Sequence, residues 1–438
     1  MVMSVLDISI ANTALPTIAR ALHVGAAAIV WVINGFNLGL TAALIASAAF
    51  GTALGLTRVF RVGVVAFTIG SLLCAISGSF ALLVAARVLQ GVGAAMVMAI
   101  SPALFRLIVP PADLVRTFGW NAMIVSAAAA AGPTVGGVLL AAFGWRWLFA
   151  INLPLAVAAM LLSVRALPEA PGSGRWPDLA SVAASAVGFS LLVYGIDGFS
   201  RHEPLLLVLA EIAAGALIFG WFVRRQLRLP RPIIALDLFA IPQFASAAGT
   251  SFAAWTAWGL GFITLPFVLQ LDRGCTPLVS GLLLTSWPLG TALAAPFAAR
   301  LTRRFSVRAI ASSGLAIFAL GLALFALFVQ VAPLLLTVLF GALAGMGFGC
   351  FQAPNNGELV SAGPAEKGAS AGALLATLRV SGQTLGASLV AILFAWAEHV
   401  VGGGSATFVR IAGPLALTSA TVFAGVSALV SARRSSPA

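Results

Sequence analysis

Charge is scarce in this chain. Of its 438 residues only 8% are charged, against 61% hydrophobic, whereas soluble domains carry roughly 25% charged residues. With a mean hydropathy of +1.08, that scarcity excludes a sizeable soluble domain and leaves a polytopic membrane protein. Cysteine is scarce too. Cys74, Cys275 and Cys350 are widely spaced and offer neither a disulfide framework nor a metal-ligand spacing. His23, His202 and His399 read as scattered outer-loop residues, so no metal is expected, and no cluster of His, Asp or Cys suggests a membrane enzyme. There is no G-x-x-x-x-G-K-[ST], which removes ATP chemistry, and Gly91-Val-Gly93 resembles a dinucleotide turn but follows no strand. No cleavable signal peptide is visible, since the first apolar run holds Asp7 and Asn12 and lacks a basic start.

What the chain has in abundance is apolar runs. Fourteen are long enough to cross a bilayer at about 20 residues each, near 1–20, 27–50, 59–80, 82–106, 118–142, 146–165, 178–196, 205–223, 242–270, 277–298, 307–328, 332–354, 369–395 and 406–431. The net charge of +12 does not mark a nucleic-acid surface, because the arginines fall in short clusters between these runs, the pattern of cytoplasmic loops. With the N-terminus inside, seventeen of the 24 basic residues lie on the cytoplasmic side, five lie outside, and Arg87 and Arg379 lie within spans. Both termini are therefore expected in the cytoplasm, in a multi-pass protein of the inner membrane. The first span is short on its inner side, with Asp7 close to Met1; either the start lies upstream or the helix is truncated. A weak internal repeat is also visible: Ala48 to Arg58 follows the second span as Ala299 to Arg308 follows the tenth.

The stretch from Ser126 to Pro154 is broken by Gly132-Pro133 and continues through Gly136-Gly137. In a soluble helix Gly costs about 1 kcal/mol and Pro about 3 kcal/mol. In lipid, small residues let backbones approach and neighbours satisfy the groups a proline frees. The segment reads either as a hinge or as a tightly packed, kinked span.

Several motifs occur in a fixed order. They are L-D-I-S-I-A-N-T-A-L-P-T-I-A from Leu6, R-V-L-Q-G-V-G-A-A from Arg87, G-P-T-V-G-G from Gly132, W-R-W-L-F-A-I-N-L-P from Trp145, F-Q-A-P-N-N from Phe351 and G-A-S-A-G-A-L-L-A-T-L-R-V-S-G-Q from Gly368. Together they resemble the major facilitator superfamily, in its fourteen-helix drug:proton antiporter branch. The resemblance implies an all-α fold of two six-helix bundles (1–165 and 233–438) with an inserted helix pair and basic cytoplasmic linker (166–232). It also implies proton-driven export of a small apolar or amphipathic compound by alternating access, with no cofactor beyond the proton gradient. A monomer in the lipid bilayer, with a small-molecule substrate and no nucleic acid, completes that expectation. Uptake or facilitated transport of a metabolite, and a transport-dead sensor or scaffold, remain as alternatives. One motif departs from the pattern. The family's G-x-L-x-D-R-x-G-R-R loop would put its acid on Thr52 and its basic pair on Leu56 and Thr57, and only Gly55 and a displaced Arg58 remain. Arg303 stands where the second half would place an acid.

The polar residues inside spans are the candidate site. A carboxylate at membrane depth is costly unless paired, hydrated or protonated, which suits Asp7 to proton coupling, with Arg87 as the fixed cation that biases it. Gln90 shares a face with Arg87, and Arg379 with Gln383 repeats the spacing. These three, with Asn34, Asn37, Asn355, Asn356 and Trp255, form the expected substrate cavity; Gly132, Pro133, Gly136 and Gly137 form the expected hinge. Glu211 reads as a lipid-interface or structural residue. Reporter fusions after Arg231 and Arg308 should read cytoplasm, and those near Arg201 and Arg273 the outside; a periplasmic signal after Arg231 would overturn this topology.

Overall fold

A bilayer offers the backbone no water, so each crossing must satisfy its own amides and carbonyls, and a helix does so. The computed structural model describes residues 2–110, 113–169, 171–174, 176–229, 232–302, 304–362, 368–401 and 405–433. Arg175, Arg231, Arg303, Lys367 and Arg434, which entered the charge count above, lie outside them. Among the described residues, fourteen helices are long and apolar enough to span a membrane. They are α1 (Val2–Leu22), α2 (Ala26–Leu54), α3 (Leu56–Ile76), α4 (Phe80–Ile108), α5 (Leu114–Ala142), α6 (Trp147–Ala166), α7 (Leu179–Gly198), α8 (Leu205–Arg228), α9 (Pro242–Asp272), α10 (Pro277–Leu301), α11 (Val307–Phe328), α12 (Leu334–Ser361), α13 (Gly368–Val401) and α14 (Ser405–Ala432). The side of the bundle where α1 begins is called the near side below.

Close approach of backbones builds both halves in the same way. In the first half α4 wedges between α2 and α3, and a Cβ on Gly91 would overlap the Phe36 carbonyl while one on Gly93 would overlap the Phe67 amide. In the second half α12 does the same between α10 and α11, with Gly345 on the Trp287 carbonyl and Gly347 on the Phe318 amide. The G-V-G rejected above as a nucleotide turn is thus a packing device, and its counterpart is Gly345-Met346-Gly347.

The halves meet where α5 packs on α10 and α2 on α13. Hydrogen bonds cross between them towards the far side: Gln270 Nε2 donates to the Thr13 carbonyl at 2.8 Å, the Thr134 and Thr285 hydroxyls lie 2.7 Å apart, and Asn34 Nδ2 donates to Ser388 Oγ at 3.3 Å. Helices α7 and α8 form a hairpin against α2 and α13. It is stapled at its near end by Arg225 Nε to Asp178 Oδ2 at 2.6 Å, which together with the Ser181 hydroxyl holds the Asp178 carboxyl down at about 2. Glu211 packs on Gly195 within the same hairpin.

The near-side corner between α2 and α3 shows what replaces the eroded loop motif. The chain turns at Gly55, whose φ of 104° favours glycine. The segment after α6 straps the corner. Ser173 N donates to the Thr52 carbonyl at 2.9 Å and Gly174 N to the Ala53 carbonyl at 3.1 Å. Thr57 Oγ1 donates to the Pro168 carbonyl at 2.7 Å, Arg61 pairs with Glu169 at 3.4 Å, and Trp176 meets Phe50 edge-on.

Helix α5 runs unbroken through Gly132-Pro133. Pro133 has no amide to give to the carbonyl four residues back, which is that of Ala129, and Ser9 Oγ of α1 donates to that carbonyl at 3.0 Å. Gly132 lies against Ser9 and Gly136 against Ile10, whereas Gly137 meets Leu278 of α10. The motif therefore sits at a three-helix junction spanning both halves. Ser9→Ala should orphan the Ala129 carbonyl and cost about 1 kcal/mol, read as a lower unfolding temperature in detergent, while Ser9→Thr should retain most of it. An unchanged Ala variant would show that the hydroxyl does not support the proline.

Candidate functional site

Side chains of α4 and α6 converge on Asp7 of α1, which is 1% exposed. Asp7 Oδ2 pairs with Arg87 Nη1 of α4. Asp7 Oδ1 accepts from Gln90 Nε2 at 2.9 Å and from Asn152 Nδ2 of α6 at 2.7 Å. Arg87, fully enclosed, donates through Nε to the Val32 carbonyl at 2.9 Å and through Nη1 to Gln90 Oε1 at 2.6 Å. Its guanidinium lies 4.4 Å from the Phe36 ring centroid and 5.6 Å from that of Phe149. Gln90 Nε2 also reaches Ser71 Oγ of α3 at 2.8 Å.

Local structure explains the convergence. Arg87 and Gln90 are three residues apart and so share a helix face, and the glycines that follow draw α4 close to α2 and α3. Arg87 does not extend to an interface, because its head is consumed by this network. A buried pair of this kind is costly to assemble, and removing one partner costs about 3–5 kcal/mol because the other charge is left unmatched. Arg87 Nη2 and Asn152 Oδ1 have no hydrogen-bond partner among the described residues, so the cluster is balanced in charge but not saturated. Chemically, Asp7 is the one carboxylate in it, and adding a proton there breaks the charge balance.

Sequence reasoning brought Asp7 and Arg87 together but missed Asn152, Ser71 and the Val32 carbonyl. Asn152 was available as the polar residue within W-R-W-L-F-A-I-N-L-P. Gln90, grouped above with the cavity residues, is packed into this cluster with both ends of its amide engaged.

The remaining residues are spread over α2, α9, α12 and α13. Asn34 and Asn37 are buried on α2, and Asn34 bonds Ser388 across to α13. Asn355 is buried on α12 against the Ala247 carbonyl, and Asn356 beside it is half-buried. Trp255 of α9 meets Phe348 with ring centroids 4.8 Å apart. Phe262 and Phe267 are core residues, and Phe262 stacks on Trp258. Arg379 and Gln383 are half-buried on one face of α13.

One expectation needs correcting. His202 and His399 are not scattered, for their rings lie 5.3 Å apart, and His399 belongs to the last turn of α13 rather than to a loop. The α7–α8 hairpin swings its tip onto α13, a contact that sequence distance conceals. Both line a far-side groove of about 1340 Å³ with Trp31, Tyr194, Arg201 and Glu398. The Asp7 cluster contributes nothing to its walls.

Comparison with known proteins places this geometry. A sequence profile described as Major Facilitator Superfamily matches residues 1–268. The uncharacterized transporter YebQ of Escherichia coli (strain K12) is 39% identical over 394 residues, covering 89% of this chain and 86% of that protein. The multidrug resistance protein Stp of Mycobacterium tuberculosis (strain CDC 1551 / Oshkosh) is 31% identical over 400 residues, covering 89% and 73%. Among solved structures, a bacterial homologue of the human lysosomal transporter Spinster, in an inward-facing and occupied conformation, aligns with a TM-score of 0.67 at 14% identity, covering 100% of this chain and 96% of that one. A fourteen-helix chain whose profile, relatives and fold agree in this way is a membrane transporter of the major facilitator superfamily, of the drug-efflux type.

Proposed function

We propose that the protein is a monomeric proton-coupled exporter of a small apolar or amphipathic compound, working by alternating access in the inner membrane with both termini in the cytoplasm. The observation that carries this reading is the enclosed Asp7–Arg87 pair. An acid held against a fixed cation, with amides from α4 and α6 on its other oxygen, has two states of different local charge. With Asp7 ionised the pair is neutral and α1, α4 and α6 are tied together. With Asp7 protonated, Arg87 loses its counter-ion, and the packing that tie supports becomes less favourable. A proton gradient acting on this group then biases the movement of one half against the other, which is the coupling that alternating access needs. The gradient is the energy source, and no cofactor enters. The near side is the cytoplasm in this reading, and the far-side hydrogen bonds between the halves are those that break when the transporter opens outward.

The test uses proteoliposomes with an imposed pH gradient and a panel of amphipathic fluorescent dyes of both charges. Asp7→Asn should abolish gradient-driven accumulation while leaving binding and downhill exchange, and Asp7→Glu should keep some coupling with a shifted pH optimum. Because Asp7→Asn alone strands Arg87, it should lose about 3–5 kcal/mol of stability. The double variant Asp7→Asn/Arg87→Gln should fold better than the single one and still fail to couple. An Asn variant that concentrates dye as well as the parent would remove Asp7 as the proton carrier.

A further inference from the structure

The Asp7–Arg87 pair is balanced within the protein; Arg379 is not. Helix α13 shows why. Gly382 and Gly386 lie against the backbone of α9, where added Cβ atoms would come within 2.7 Å of the Phe252 carbonyl oxygen and 2.6 Å of that of Thr256. Ala376 and Val380 pack into the cluster of Met3, Phe36 and Leu40 from the first half. With 3.6 residues per turn, Arg379 and Gln383 fall on the arc between those two surfaces, facing the seam between α9 and the first half. Both are half-buried there. Trp255 of α9 stands beside them, its ring centroid 5.8 Å from Arg379 Cζ. Among the described residues, no carboxylate pairs with Arg379 and neither side chain has a hydrogen-bond partner.

An unmatched guanidinium at membrane depth is costly unless water or an anion reaches it. Its planar fork matches a carboxylate, sulfonate or phosphate with two parallel hydrogen bonds. Gln383, one turn on, adds an amide donor, and the Trp255 ring offers an apolar face for the body of the ligand. A cation entering the same seam would meet Arg379 head-on, while the Asp7 carboxylate is already consumed by Arg87. We propose that Arg379, with Gln383 and Trp255, is an anion anchor in the central seam, and that the substrates are amphipathic compounds carrying a carboxylate, sulfonate or phosphate beside an aromatic or alkyl body. This rests on the transporter reading above and specifies its substrate class.

The experiment is equilibrium binding to the full-length protein in detergent, with no pH gradient, of three dansyl compounds matched in body: dansylglycine (anion), dansylamide (neutral) and dansylcadaverine (cation). The parent should bind dansylglycine at least about tenfold more tightly than the other two. Arg379→Gln should bring all three to similar affinity by weakening dansylglycine at least about tenfold, and Arg379→Lys, which keeps charge but loses the fork, should fall between. Removing an unmatched cation should not lower the unfolding temperature; should the Gln variant nonetheless misfold, the parent's selectivity and the Lys variant still decide. Equal or cation-favouring binding by the parent, no dansylglycine binding, or undiminished anion preference in Arg379→Gln would overturn the proposal. Because no gradient is applied, failure of proton coupling would leave this result untouched.

Discussion

The buried ion pair between Asp7 and Arg87 is the constraint on which the first half of the molecule depends. Two charges withdrawn from water are tolerable only where the geometry is good and the remaining donors and acceptors find partners. That requirement reaches into five helices: α1 supplies the acid, α4 the cation and an amide, α6 a second amide, α3 a hydroxyl and α2 a carbonyl. The Val32 carbonyl of α2 takes the guanidinium Nε. The glycines of α4 serve the same demand, because they bring α4 within backbone distance of its neighbours.

The two halves share this backbone plan and differ in what fills it. Phe36 and Trp287 occupy equivalent places beside Gly91 and Gly345, as Phe67 and Phe318 do beside Gly93 and Gly347. Around Phe36 stand Arg87 and its polar partners. Around Trp287 stand Phe262, Phe318 and Phe325. One half therefore has a polar interior holding an ion pair, and the other an aromatic interior. A scaffold built twice has been given two different chemistries.

Much of this was legible in the sequence because hydropathy and helix length are local properties. All fourteen spans could be read, and the in-span charges pointed to Asp7 and Arg87. What escaped reading was long-range pairing. Ser9 satisfies a carbonyl freed by Pro133, Asn152 meets an acid 145 positions earlier, and His202 reaches His399; no periodicity encodes such meetings. The eroded loop after α2 is instructive in another way. Its missing charges are matched by backbone and side-chain bonds from the segment after α6, and those involve residue types, such as Gly and Ser, that carry no distinctive signature.

The enclosure of the pair also has an electrical consequence for the proposed coupling. While Asp7 is ionised, its cluster carries no net charge, so moving it within the membrane does no electrical work. If Asp7 takes up a proton, the cluster becomes a single enclosed positive charge. Each elementary charge crossing the full membrane potential is worth about 2.3 kcal/mol per 100 mV. Movements of this cluster in the protonated state would then respond to the membrane potential, and the same movements of the cluster in the ionised state would be electrically silent.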